Sequence, residues 1–143
     1  ITEIVGKSIP DDLVLDLRGG GKLDKNLFKG KVTYLTFFAS WCGNCRKQMP
    51  AMKLWEDEWK KKGFQVIAIN VDRKKERGDK YVAGLDPNFK IAYDPSARTM
   101  TDFDINAMPT NFIVDRKGKI IKRVVGYKDK EIPSTRKAIQ DLL

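Results

Sequence analysis

The sequence predicts an α/β fold in which a mixed β-sheet is flanked by helices, and three observations lead there. Residues 32–39 and 65–71 are two nearly continuous apolar runs rich in β-branched and aromatic side chains, as in central strands covered on both faces. Between them Met49, Met52, Trp55 and Trp59 recur at spacings of three and four, which gives one apolar side to a helix. A strand, a helix and a strand in about 40 residues form a βαβ unit with a parallel pair and a right-handed crossover. Farther on, residues 111–114 and 119–125 flank Asp115-Arg116-Lys117-Gly118, an antiparallel hairpin at the other end of the sheet.

The remaining elements follow in order. Near the N-terminus, the alternating segment 13–17 and the glycines Gly19, Gly20 and Gly21 suggest two small strands joined by a turn. That segment is not a phosphate loop, because neither Gly6-Lys7-Ser8 nor Gly21-Lys22-Leu23 has the required glycine five residues earlier. Residues 24–29 can form a helical turn. The central helix is expected over 42–62, kinked at Pro50, which lacks a donor and crowds the preceding turn, and ended by Gly63. A helix is expected over 74–83 and a short strand over 89–92. Asp94-Pro95-Ser96 resembles a helix start before Ala97, Met100 and Phe103. Ile132, Arg136, Ile139 and Leu143 mark a terminal amphipathic helix that tolerates Pro133 in its first turn.

A chain of 143 residues can bury one core, so one domain over 1–143 is expected. No apolar run approaches a membrane span, and no secretory leader is visible. Because the chain begins at Ile1, removal of a leader or anchor is compatible with it. The net charge is +9, but Lys and Arg are spread along the chain and interleaved with acids. A solvated basic surface is therefore expected, ahead of an acidic partner or membrane surface, with no nucleic-acid partner. Histidine is absent, which excludes Cys-His and Ser-His nucleophile pairs, His-ligated haem and imidazole-based zinc or copper sites.

Both cysteines fall in Trp41-Cys42-Gly43-Asn44-Cys45, directly after the first long strand and at the start of the predicted helix. Four chemistries use Cys-X-X-Cys. Zinc needs about four ligands and only two cysteines exist, so no metal is expected. Haem attachment needs His after the second cysteine, where Arg46 stands. A structural bridge across so short a loop contributes little chain entropy. A redox dithiol is favoured, because a thiol at a helix N-terminus faces unpaired N–H groups and the positive end of the macrodipole. A bias of about 2 kcal/mol toward thiolate is enough to make Cys42 the attacking sulfur. Cys45, one turn deeper and less exposed, would resolve the mixed disulfide. From the residues alone Trp41 reads as an ordinary half-buried aromatic.

The blocks 37–50, 68–72 and 108–120, with the lead-in 27–32, resemble the TlpA/ResA-like branch of the thioredoxin superfamily. The resemblance implies a thioredoxin fold with an N-terminal β-hairpin extension, 1–31, on a core of 32–143. It implies an extracytoplasmic thiol-disulfide oxidoreductase, in the periplasm or on the outer face of the cytoplasmic membrane, and often anchored there. The function implied is a disulfide reductase for exported proteins such as apocytochrome c, supplied by a membrane-bound electron donor. A monomer is expected, with no cofactor beyond a redox-active Cys42-Cys45 disulfide. The resemblance also carries over a cis Met108-Pro109 bond, and Trp41, Gly43, Asn44, Met108 and Pro109 become the expected substrate-binding residues. Thr36 stands where thioredoxin has a buried Asp, which leaves proton handling open; Asp72 and Glu76 are candidates for an acid found after the second long strand in cytochrome-maturation members. The dipeptide Gly43-Asn44 lacks thioredoxin's proline. A peptide-binding or chaperone-like module with incidental cysteines, and a thiol oxidant of the same fold, are the alternatives.

Overall fold

The computed structural model describes residues 4–143; the expectation attached to Ile1 lies outside the described residues. The elements run β1 (Val14–Leu17), β2 (Lys22–Asp24), β3 (Val32–Phe38), α1 (Gly43–Trp59), β4 (Phe64–Asn70), α2 (Lys75–Leu85), β5 (Lys90–Tyr93), α3 (Arg98–Asp102), β6 (Thr110–Val114), β7 (Ile120–Val125) and α4 (Ile132–Leu142). The strands form one mixed sheet in the order β2-β1-β5-β4-β3-β6-β7. β4 runs parallel to β3 and β5, while β6 is antiparallel to β3 and to β7.

The two long apolar runs become the centre of the sheet, and every residue of β3 and β4 is buried. Alternation along the strands then sorts their side chains onto two layers. Val32, Tyr34 and Phe38, with Phe64, Val66 and Ala68, pack under Met49, Met52, Trp55 and Trp59 of α1, Val82 of α2 and Ile139 of α4. Leu35, Phe37, Ile67 and Ile69 face the other way, against Leu13, Leu23, Phe28, Phe103 and Phe112.

The N-terminal hairpin is more than an appendage. β1 pairs with β5 through Asp16↔Tyr93 and Leu17↔Ala92, so β1 and β2 extend the main sheet. Sequence pattern identifies such short strands but not their partner, because an edge strand will accept any free edge of matching register.

Several boundaries differ from expectation. Cys42 caps α1 rather than opening it, and α1 gives way after Trp59 to a single 3-10 turn, Lys60–Lys62. The helix continues through Pro50. Gly63 closes the turn at φ 84°, and a Cβ there would meet Arg116 Nη1 at 2.5 Å. That guanidinium donates to the carbonyls of Gly30, Lys62 and Leu143, tying three loops together. α2 and β5 begin one residue later than predicted. The start of α3 is organised by Asp94, whose carboxylate accepts from Thr99 N and Oγ1 and from Ser96 Oγ, while Ala97 takes the left-handed conformation.

Glu56 of α1 carries a test of this packing. Its carboxylate accepts the Val66 N–H at 2.9 Å, and burial pushes its pKa up against the opposing pull of that bond and of Lys90, Lys31 and Lys60. A carboxyl raised on folding contributes stability below its unfolded pKa and loses it as pH rises through the folded value. Glu56→Gln keeps an acceptor without the charge. Its unfolding free energy from urea titration is expected to gain on the wild type between about pH 4 and 7, by less than about 1 kcal/mol because the site is half solvated. A constant difference across that range would contradict the assignment.

Candidate active site

The chain leaves β3 at Phe38 and turns through Ala39, Ser40 and Trp41 into α1. Cys42 has extended backbone, φ −91° and ψ 103°, and its sulfur accepts the backbone N–H of Cys45 at 3.1 Å. The N-cap position is thus filled by a sulfur, which meets one of the donors a helix start leaves unpaired. Cys42 and Cys45 are joined in a disulfide, with Cα atoms 5.3 Å apart. Cys45 is fully buried, and its sulfur lies 4.0 Å from the Phe37 carbonyl oxygen.

Cys42 is also nearly closed off, at 6% exposure, which corrects the expectation of an exposed sulfur above a buried one. Both sulfurs belong to the apolar layer under α1, and Met108 packs on that layer. Trp41 does the opposite. At 69% exposure its ring stands out from the loop and lines a hollow with Val71, Ala97 and Met100, so it is not half-buried. Gly43 and Asn44 are exposed in the first turn of the helix.

The second part of the site comes from β6. Thr110 lies level with Phe37 of β3, so the residues just before it sit at the end of the sheet from which the cysteine loop emerges. The Met108-Pro109 bond there is cis. The Pro109 carbonyl accepts from Gly126 N at 2.8 Å, and the Ala107 carbonyl from Thr110 Oγ1 at 2.6 Å. Among the described residues the Met108 N–H and carbonyl have no backbone partner.

Two polar networks support the loop. Asp72, 4% exposed, accepts from Ser40 N at 2.8 Å, Ser40 Oγ at 2.7 Å and Asn70 Nδ2 at 2.8 Å. It pins the cysteine loop to the end of β4. Gly78 of α2 packs over this contact, and a Cβ there would meet Asn70 Oδ1 at 2.3 Å. Only a glycine lets the helix approach so closely. Glu76, the other acidic candidate, is exposed in the first turn of α2.

Behind the disulfide, Thr36 Oγ1 donates to Asn111 Oδ1 at 2.5 Å, and Gln48 Nε2 donates to Thr36 Oγ1 and Asn111 Oδ1 at 2.8 and 3.0 Å. Asn111 Nδ2 reaches the Gly126 carbonyl. All three side chains are buried, and Gln48 Oε1 has no partner among the described residues. A neutral cluster therefore occupies the place flagged by Thr36. Sequence does not single out its other members, since Gln48 sits in a polar run and Asn111 opens an apolar strand. They are brought together by the strand register that sets Thr36 opposite Asn111.

A sulfur pair bridged across the first turn of a helix, at the sheet end where a cis X-Pro bond arrives, defines a redox-active protein of the thioredoxin fold. The chain belongs to the Redoxin family, whose description matches residues 4–142, and is a thiol-disulfide oxidoreductase of the ResA and DsbE type. It is 32% identical to a thiol-disulfide oxidoreductase ResA of Bacillus cereus over 127 residues, 89% of this chain and 73% of the relative. The crystal structure of a Chlorobium tepidum protein assigned as the thiol:disulfide interchange protein DsbE superposes with a TM-score of 0.91 at 34% identity, covering 96% of both chains. The solution structure of a Bacteroides thetaiotaomicron protein assigned as a protein disulfide isomerase gives 0.84 at 29% identity, over 97% of this chain and 89% of that one.

Proposed function

We propose that this protein is a disulfide reductase acting outside the cytoplasm on exported proteins, apocytochrome c among them. The observation that carries the reading is the Cys42 sulfur at the N-cap of α1, where the Cys45 N–H points at it. The same donor and the helix dipole stabilise a thiolate once the bridge is opened. In the reduced protein, Cys42 thiolate attacks one sulfur of the substrate disulfide. A mixed disulfide forms, and the other substrate sulfur leaves as thiolate. Cys45, deprotonated, then attacks the Cys42 sulfur, which restores the Cys42-Cys45 bridge and releases the second substrate thiolate. Two electrons pass to the substrate, whose thiolates take up the two protons given up by the cysteines. No cofactor beyond the sulfur pair takes part, and a membrane-bound dithiol donor resets the protein.

The unpaired backbone of Met108 suits a substrate strand laid alongside it, as in recognition by strand addition. Trp41, Gly43 and Asn44 form the near rim. The protein works as a monomer and a single domain in the periplasm or on the outer face of the cytoplasmic membrane; among the described residues no helix is long and apolar enough to cross a membrane.

Equilibration of the Cys42-Cys45 pair with dithiothreitol buffers tests the direction of flow. A potential of about −250 mV or lower is expected, near that of thioredoxin. A value above about −180 mV would make the protein an oxidant instead. Peptide binding without any thiol exchange would leave only a binding module.

A further inference from the structure

Folding gathers charge that looks dispersed along the chain. Arg46 of α1, Arg73 and Lys74 in the loop after β4, and Arg77 and Lys80 of α2 surround the cysteine loop, and all five are exposed. None makes an ion pair with a described carboxylate. Two hollows open between them. One, of about 510 Å³, has Tyr81 and Leu85 among its walls, with Ser40, Arg46, Arg77 and Lys80. The other, of about 420 Å³, is walled by Trp41, Val71 and Met100, with Arg73, Lys74 and Arg77. Arg77 belongs to both, and both share a wall with the segment that leads into Cys42.

Nearby acids offset this rim only in part. The Asp72 carboxylate lines the second hollow, where it accepts from Ser40 and Asn70 and stands against three cations, Arg73, Lys74 and Arg77; among the described residues neither Glu76 nor Asp79 of α2 lines either hollow or enters an ion pair. The Arg46 guanidinium stacks on the Tyr81 ring at 4.9 Å from its centroid and donates to the Ser40 carbonyl, so it is held over the loop with its charge intact. Like charges kept this close raise the local potential and favour an anionic partner.

We propose that these two hollows are a docking surface for acidic, partly apolar segments flanking the substrate's disulfide. The proposal rests on the oxidoreductase reading and specifies the substrate class that site prefers. Carboxylates of the segment meet the cationic rim, and its apolar residues settle on Trp41, Met100, Tyr81 and Leu85. Association is steered toward Cys42 before any bond is exchanged.

Pre-reduced protein, with no added donor, is mixed in single turnovers with two disulfide-bridged peptides that differ only in having Asp/Glu or Lys/Arg flanks, and with neutral bis(2-hydroxyethyl) disulfide. The acidic peptide is expected to react about tenfold faster or more at about 20 mM salt, with the ratio shrinking toward one near about 0.5 M. Arg77→Glu with Lys80→Glu, and separately Arg73→Glu with Lys74→Glu, are each expected to cut that ratio. A ratio of one in the wild type, a ratio indifferent to salt, or one unmoved in both double variants overturns the proposal. Sedimentation with phosphatidylglycerol vesicles but no acidic-peptide preference would assign the surface to a membrane and overturn it too. If the neutral disulfide does not react at all, the oxidoreductase reading fails; if it reacts while the peptides are equal, only the docking surface does.

Discussion

Cys42→Ser is expected to lower the rate of disulfide reduction about a thousandfold or more while leaving the fold intact. The sulfur proposed as the attacker is removed, and removal of a nucleophile forfeits the whole covalent route. Serine is itself a favoured N-cap, so the donor at Cys45 N keeps an acceptor in place of the sulfur it now has. The lost bridge closes a loop of sequence separation 3, too short for much chain entropy. Cys45→Ser should behave differently. Attack by Cys42 still proceeds, resolution does not, and a mixed disulfide with the substrate accumulates. Mass spectrometry of the trapped species, beside an insulin-type reduction assay, distinguishes the two. Trapping on Cys45 in the Cys42→Ser variant would reverse the assigned roles, and undiminished activity there would remove the proposed chemistry.

The largest effect on stability is expected from Trp59→Ala. Trp59 is 2% exposed, meets Phe64 edge-on at 5.4 Å and Trp55 at 6.4 Å, and carries the Arg136 guanidinium 4.7 Å above its ring. Arg136 also forks onto Glu58 with contacts of 2.9 and 2.8 Å, so the indole joins the end of α1 to α4 and to the start of β4. Truncation should cost about 3–5 kcal/mol, a large share of the roughly 5–15 kcal/mol typical of a domain. For this size of chain the melting temperature should fall by about 10 °C or more. Urea unfolding with an unchanged slope would confirm the loss as one of packing. Trp41→Ala, at a ring that is mostly exposed, should change stability by less than about 0.5 kcal/mol. Equal costs at the two tryptophans would contradict this division of the core.

The contrast between these tryptophans shows how far the sequence can be read. Trp59 falls in the core by its recurrence with Met49, Met52 and Trp55 at helical spacing, and every one of them is buried. Trp41 lies outside any period, and its placement depends on the course of the loop after β3. That loop is held by Asp72, 32 residues farther on, to which no local pattern points. Likewise the position of Cys42 before a helix suggests exposure, yet its cover comes from the layer on which Met108 packs.

Periodicity, cysteine spacing and the absence of histidine are local properties, and they determined the strand-helix-strand core, the amphipathic helix behind the sulfurs and the exclusion of imidazole-based chemistry. Their physics acts within a few turns of chain, where side-chain direction follows from backbone geometry alone. Only the tertiary structure decided which distant residues share a neighbourhood. It seated β1 on β5, set Thr36 opposite Asn111 with Gln48 above them, and brought five cations without ion-pair partners among the described residues, from three segments, to the rim of the cysteine loop. Those placements depend on sheet order and on the close passage of α2 over Asn70, and pairings over such separations are selected by the global packing minimum rather than by any segment's own preference.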